Sequence, residues 1–256
     1  MRTFSLLSAF CLLLVISGFT YIGSPKINLP LECPSLLDGE NPTKHIGYIT
    51  SYNHQHEQAN WVAYTLSPQK LMGVVERSNK FSPDPLITPE TANTHDYTKS
   101  GFDRGHLAPA ADMKYSETAM RECFYLSNIS PQAPKFNRGI WKKLEEKVRD
   151  WASKTNQIFI VTGPILNNHL VNKIGREHQI TVPEYFFKAV VDTNKMGNGI
   201  AFVMKNQGSQ LPLKTFAITI DSLEHLTGRN FYFQIPQKKQ EKIEKTVHLE
   251  HWDLND

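Results

Sequence analysis

Residues 101–112 read GFDRGHLAPAAD, and residues 137–153 read NRGIWKKLEEKVRDWAS. The first stretch sets an acid, a guanidinium, a bare backbone position and an imidazole side by side as Asp103, Arg104, Gly105 and His106. Alone, that tetrad reads equally well as a salt-bridged turn carrying a surface histidine. The second stretch repeats Trp141, Leu144, Val148 and Trp151 at helical spacing, which predicts an amphipathic helix. Asn137 suits the cap of that helix. Glu145 and Arg149 stand four residues apart, where an exposed ion pair contributes only about 0.2–0.5 kcal/mol.

Outward from these two stretches the pattern is mixed. GYITSYN and WVAYTLS carry the alternation and aromatic content of strands, SPQKLMG starts like a short helix, and residues 79–99, with three prolines, read as a long surface loop. Ser116 can cap a short helix running to Cys123, and FYLSNISPQ is strand-like up to its proline. Further on, QIFIVTGPIL, ITVPEYFFKAVVD, GIAFVMKN and LKTFAITI are strand candidates separated by Gly, Pro and Asn turns. Residues 221–229 can form one helical turn and FYFQI a last strand, while KKQEKIEK reads as a solvated surface segment. There is no internal repeat and no regular β–α alternation. The reading is an α+β, mixed α/β fold with a central antiparallel sheet and packed helices.

The chain has 256 residues, 28 Lys+Arg against 25 Asp+Glu, and 40% hydrophobic residues, which excludes a disordered, collagenous or multi-span membrane protein. A net charge of +3 permits a phosphate-rich partner without establishing one. Residues 5–20 are almost continuously apolar and follow Arg2, in the order of a secretory signal. Residues 1–22 are therefore expected to be a signal peptide or an uncleaved N-terminal anchor. Residues 23–42 form an arm or linker, and residues 43–256 a single domain. The expected location is exported, periplasmic or secreted, with membrane contact only if the anchor is retained. Outside the leader stand Cys33 and Cys123, which an oxidising compartment would allow to form one disulfide; the alternative is one buried and one exposed thiol.

GFDRGHLAPAADM, FYLSNISPQAPKFNRGIWKKLEEKVRDW and IFIVTGPI, in that order, resemble the DNA/RNA non-specific endonuclease family with its ββα metal motif. The parallels are with the secreted bacterial sugar-non-specific nucleases and the mitochondrial endonuclease G group. A looser likeness extends through ITVPEYFFKAV and TGRNFYF, so the resemblance covers about residues 45–235. By resemblance His106 is the general base, Asn137 the metal ligand and Glu145 the acidic helix residue. Arg104 and Arg149 bind substrate and stabilise charge, Asn128 joins the catalytic group as a scaffold, and Arg77 matches an upstream substrate-binding arginine.

The resemblance implies hydrolysis of DNA and RNA, without sequence selection, to 5′-phosphate and 3′-hydroxyl ends. It also implies Mg²⁺, with Mn²⁺ or another divalent cation as alternatives, and allows a homodimer; no residue identifies an inhibitor protein. The residue types suit that chemistry. A neutral imidazole, with an ordinary pKa of about 6.5, can take a proton from water. Asn137 offers a hard oxygen to a divalent cation. Glu145 lies about 80° around an ideal helix from Asn137 and roughly 12 Å along it, which suits an acceptor for metal-bound water better than a second direct ligand. Two other readings use the same residues: a nucleic-acid-binding module without turnover, and a phosphodiesterase for smaller substrates.

Overall fold

The computed structural model describes residues 29–254 apart from 168, 170, 195 and 196; the expected signal or anchor segment lies outside them. The strands in chain order are β1 (Thr43–Lys44), β2 (Ile49–Asn53), β3 (Gln58–Leu66), β4 (Asp103–His106), β5 (Ile129–Gln132), β6 (Ile158–Pro164), β7 (Lys173–Ile174), β8 (Ile180–Thr181), β9 (Tyr185–Asp192), β10 (Gly199–Lys205) and β11 (Ala217–Ile218). The helices are α1 (Pro68–Leu71), α2 (Glu117–Glu122), α3 (Lys142–Ser153), α4 (Ile220–Thr227) and α5 (Gln237–Lys245). Seven strands form one antiparallel sheet in the order β1-β2-β3-β6-β9-β10-β11, and β4-β5 and β7-β8 pair separately.

Both faces of the sheet are covered, so its central strands are apolar at successive positions instead of alternating with polar ones. On one face Tyr64, Ile160, Phe186, Val190 and Phe202 pack against Leu144, Val148 and Trp151 of α3 and Ala119 and Met120 of α2. On the other, Trp61, Val161, Phe187 and Val191 meet Ile220 and Leu223 of α4, Ile243 of α5, and Leu29 and Cys33 of the N-terminal stretch. Ser116 caps α2 by accepting from Ala119 N, as its position predicts.

Four expectations change. Cys33 and Cys123 are both free and buried, and they sit in cores on opposite faces of the sheet, so no disulfide joins them. FYFQI is a turn, with its aromatic rings Phe231 and Tyr232 buried as core and not as a strand. KKQEKIEK is most of α5, held to the sheet through Ile243. The predicted helix from Asn137 is an α-helix only from Lys142; residues Phe136–Trp141 form a π-helical turn kinked at Gly139. No helix among the described residues is long and apolar enough to cross a membrane.

Residues 29–42 pack on the sheet. Arg229 donates from Nη1 and Nη2 to Glu40 at 2.6 and 2.7 Å, and Asn60 Nδ2 donates to Glu40 Oε1 at 2.7 Å. The long loop after Asn79 is anchored as well. Asp84 pairs with His45 Nε2 at 2.8 Å and accepts from the Ser127 hydroxyl. Ser82 bridges Tyr125, with Leu126 N donating to Ser82 O at 2.9 Å.

Candidate active site

β4 and β5 form a hairpin in which His106 faces Ile129 and Gly105 faces Ser130. A side chain at Gly105 would fall on that of Gln132, which is why this position carries none. Alternation along β4 sends Arg104 and His106 to one side and Asp103 and Gly105 to the other. Arg104 and His106 both line a cleft of about 380 Å³. Its opposite wall is the π-helical turn and α3: Asn137, Arg138, Lys142, Glu145 and Arg149 line it, spaced to form one stripe. Arg77 closes the rim.

His106 is buried, and its Nε2 has no hydrogen-bond partner. Burial, reinforced by the nearby Arg77 charge, pushes its pKa down to about 3. His45 and His178 each face a carboxylate, Asp84 and Asp96, whereas no carboxylate among the described residues pairs with His106. The imidazole is therefore neutral at physiological pH. Its ring stands 4.8 Å edge-to-face from Phe124 and 5.5 Å from Phe81.

Asn137 Nδ2 donates to Asp103 Oδ2 at 2.9 Å. A carboxylate can only accept, so this bond fixes the amide and leaves Asn137 Oδ1 as the free oxygen donor. Arg138 grips the same carboxylate at 2.6 and 2.8 Å. Burial alone would raise the Asp103 pKa, but hydrogen bonds from Arg138 and Asn137 outweigh it and the net shift is downward.

Arg149 lines the cleft, yet it is tied to Asp112 rather than to Glu145: its Nη1 donates to Asp112 Oδ1 at 3.0 Å, and Tyr64 Oη donates to Asp112 Oδ2 at 2.9 Å. Lys188, on β9 beneath the helix, is fully buried with no hydrogen bond to its Nζ, which lies 5.0 Å from the centre of the Trp141 ring. Burial raises the Glu145 and Asp112 pKa values and lowers that of Lys188, while the opposite charges of this quartet hold each other back. Two acids and two bases thus interact across this wall, Glu145 and Arg149 lining the cleft and Asp112 and Lys188 buried behind it.

Asn128, grouped with the catalytic residues as a scaffold, stands behind the cleft and not in it. It is fully buried, accepts from Ala108 N at 2.9 Å, and donates to Ala108 O and Cys123 O at 2.9 and 2.8 Å. It clamps the turn that follows His106 and does not reach the cleft. Sequence reasoning missed Asp112, although it ends the quoted motif, and Lys188, hidden in an apolar run. Asp221, Glu224 and Glu244 bring carboxylate oxygens within 4.8 Å of one another, a spacing that can hold a divalent cation. They belong to α4 and α5, on the sheet face away from the cleft.

A histidine hairpin packed on a helix that faces it with an asparagine, a glutamate and arginines defines a ββα nuclease-type site. Residues 35–238 match the family profile described as DNA/RNA non-specific endonuclease. The chain is 36% identical over 215 residues to "Nuclease EXOG, mitochondrial" of Danio rerio, covering 77% of this chain and 62% of the relative. It is 35% identical over 226 residues to "Mitochondrial nuclease" of Saccharomyces cerevisiae, covering 79% and 69%. A solved chain from "Crystal structure of the EndoG/EndoGI complex: Mechanism of EndoG inhibition" superposes with a TM-score of 0.70 at 30% identity, covering 77% of this chain and 88% of that one. The chain belongs to the DNA/RNA non-specific endonuclease family, and it spans about three fifths of the length of the Danio rerio relative.

The same relatives correct the expected compartment. EXOG of Danio rerio, Homo sapiens, Mus musculus and Xenopus laevis, the yeast nuclease, and endonuclease G of Homo sapiens and Bos taurus are all named mitochondrial, which overturns the periplasmic or secreted reading. An apolar run behind one basic residue reports affinity for a membrane and not which membrane it meets.

Proposed function

We propose that this chain is a metal-dependent nuclease that hydrolyses phosphodiester bonds of DNA and RNA without reading base sequence, leaving 5′-phosphate and 3′-hydroxyl ends. The observation that carries the reading is a buried imidazole, neutral and free of any carboxylate, in the same cleft as Asn137 and four arginines. His106 takes the proton of the attacking water; burial keeps its imidazole unprotonated, and so able to accept, at neutral pH. Arg77 and Arg104 bind phosphate oxygens and offset the charge that builds on them in the transition state. Arg149 contributes from a position set by Asp112.

The donors fit a hard divalent cation of the Mg²⁺ type: Asn137 Oδ1 is left free in the cleft, and the Glu145 carboxylate stands on the same wall as an acceptor for coordinated water. When bound, such an ion supplies charge neutralisation at the nonbridging and leaving oxygens. Because the recognised groups are phosphates, affinity falls with salt and varies little with sequence. An inhibitor protein is the natural second partner, since a related chain was solved in the EndoG/EndoGI complex.

The test is cleavage of supercoiled plasmid and single-stranded RNA with Mg²⁺ or with excess EDTA. Metal-dependent cutting of both polymers is expected; intact polymers with both Mg²⁺ and Mn²⁺, from folded protein, would sink the reading. Asp103→Ala releases the Asn137 amide, and the expected result is a 10- to 100-fold weaker apparent affinity for Mg²⁺, of the order seen when partners of metal ligands are lost. Calorimetric Mg²⁺ titration checks it, and an unchanged affinity would show that Asp103 does not orient Asn137.

A further inference from the structure

The arginines of the cleft are not held alike. Arg138 is paired with Asp103, Arg149 with Asp112, and Arg77 donates from Nε to Asn79 Oδ1 at 2.8 Å. Arg104 is exposed, and among the described residues no carboxylate pairs with it. What it has is an aromatic face: its guanidinium carbon lies 4.5 Å from the centre of the Phe81 ring.

We propose that Phe81 is a positioning residue that holds the Arg104 guanidinium over its ring so that the N–H edges stay free for a substrate phosphate. The inference rests on the nuclease reading of the cleft. An exposed arginine samples many rotamers, and each must be given up when phosphate binds. A carboxylate partner would restrict it but would also occupy the donors and repel the polyanion. A ring face restricts it without competing, because the contact uses the flat of the guanidinium and leaves its rim.

Phe81 is itself well fixed. Its ring meets Phe124 edge-to-face at 4.9 Å and packs against two of the molecule's apolar clusters. The next residue, Ser82, is bridged to Tyr125. Phe124 in turn carries Arg77, whose guanidinium carbon lies 4.9 Å from that ring's centre. A residue of the long loop after Asn79 thus sets the geometry of a motif more than twenty positions downstream.

The experiment measures binding of fluorescein-labelled single-stranded DNA by anisotropy in EDTA, and kcat and KM with Mg²⁺. It uses the full chain, Phe81→Leu, Phe81→Met, Phe81→Tyr, Arg104→Ala and the Phe81→Leu/Arg104→Ala double variant. Leu and Met keep apolar bulk without a π face, so two truncations guard against one that misfolds. Loss of the ring is expected to raise Kd and KM about 2- to 30-fold, the range spanned by a cation–π contact. Phe81→Tyr is expected to restore binding, and the double variant to bind no more weakly than Arg104→Ala alone. Binding by the truncations equal to the full chain, or a Phe81→Leu effect that adds in full to Arg104→Ala, would overturn the inference. Wild-type protein that fails to cleave would instead strike at the nuclease reading, while the anisotropy measurements still report on Phe81.

Discussion

On the proposed function, His106→Ala is expected to slow phosphodiester cleavage by about 10²–10⁴-fold, the usual contribution of a positioned general base. The initial rate of plasmid nicking measures it, and a rate within a few fold of wild type would remove His106 from the base role. The same residue writes a second signature in stability. Unfolded, its imidazole takes up a proton around pH 6.5; folded, it resists until about pH 3. Stability from keeping it neutral is therefore fully present above about pH 6.5 and is lost as pH falls toward 3. By linkage the difference between 6.5 and about 3 corresponds to a loss of roughly 5 kcal/mol at the acid end. Urea unfolding at pH 7 and pH 4.5 is expected to show a large difference for wild type and a smaller one for His106→Ala. Equal differences would mean that the imidazole is hydrated.

Asp112→Ala destabilises the protein by about 3–5 kcal/mol, the cost of leaving one member of a buried ion pair without the other. Asp112 is 1% exposed and is the acceptor for both Arg149 and the Tyr64 hydroxyl, which lose their partner together. It also sits among the charges that hold Lys188 protonated, so its removal leaves the buried amine with less compensation. Asp112→Asn, which keeps the shape and part of the hydrogen bonding, is expected to cost less than Asp112→Ala. The shift in urea midpoint checks both, and a loss below about 1 kcal/mol for the alanine variant would show that the pair behaves as a solvated surface contact.

The central sheet and α3 were legible because both are written locally: the sheet in short apolar runs between turns, the helix in Trp141, Leu144, Val148 and Trp151, which repeat as a helix must and meet the sheet. The cleft was legible in outline because alternate residues of one strand, Arg104 and His106, carry it. Periodicity carries no information about pairing at long range. The loop after Asn79 reads as surface because its prolines and polar residues forbid a strand, yet Asp84 ties it to His45 and Ser127, and Phe81 to His106 and Phe124, partners about 25 to 45 residues away. Lys188 is invisible for a different reason: in FFKAVV it looks like the polar break of an edge strand, and only the covering helix makes it a buried charge. The two cysteines suggested a staple because sequence cannot report which face of a sheet a side chain occupies.

Those thiols offer a use of their own. Cys33 lies in the layer under α4 and α5, and Cys123 in the layer under α3; burial pushes both pKa values up to about 12. Neither is reactive while its layer is closed. Timed alkylation, with the labelled peptides identified by mass, would therefore act as a pair of clocks built into one chain, timing separately when each side of the sheet comes apart.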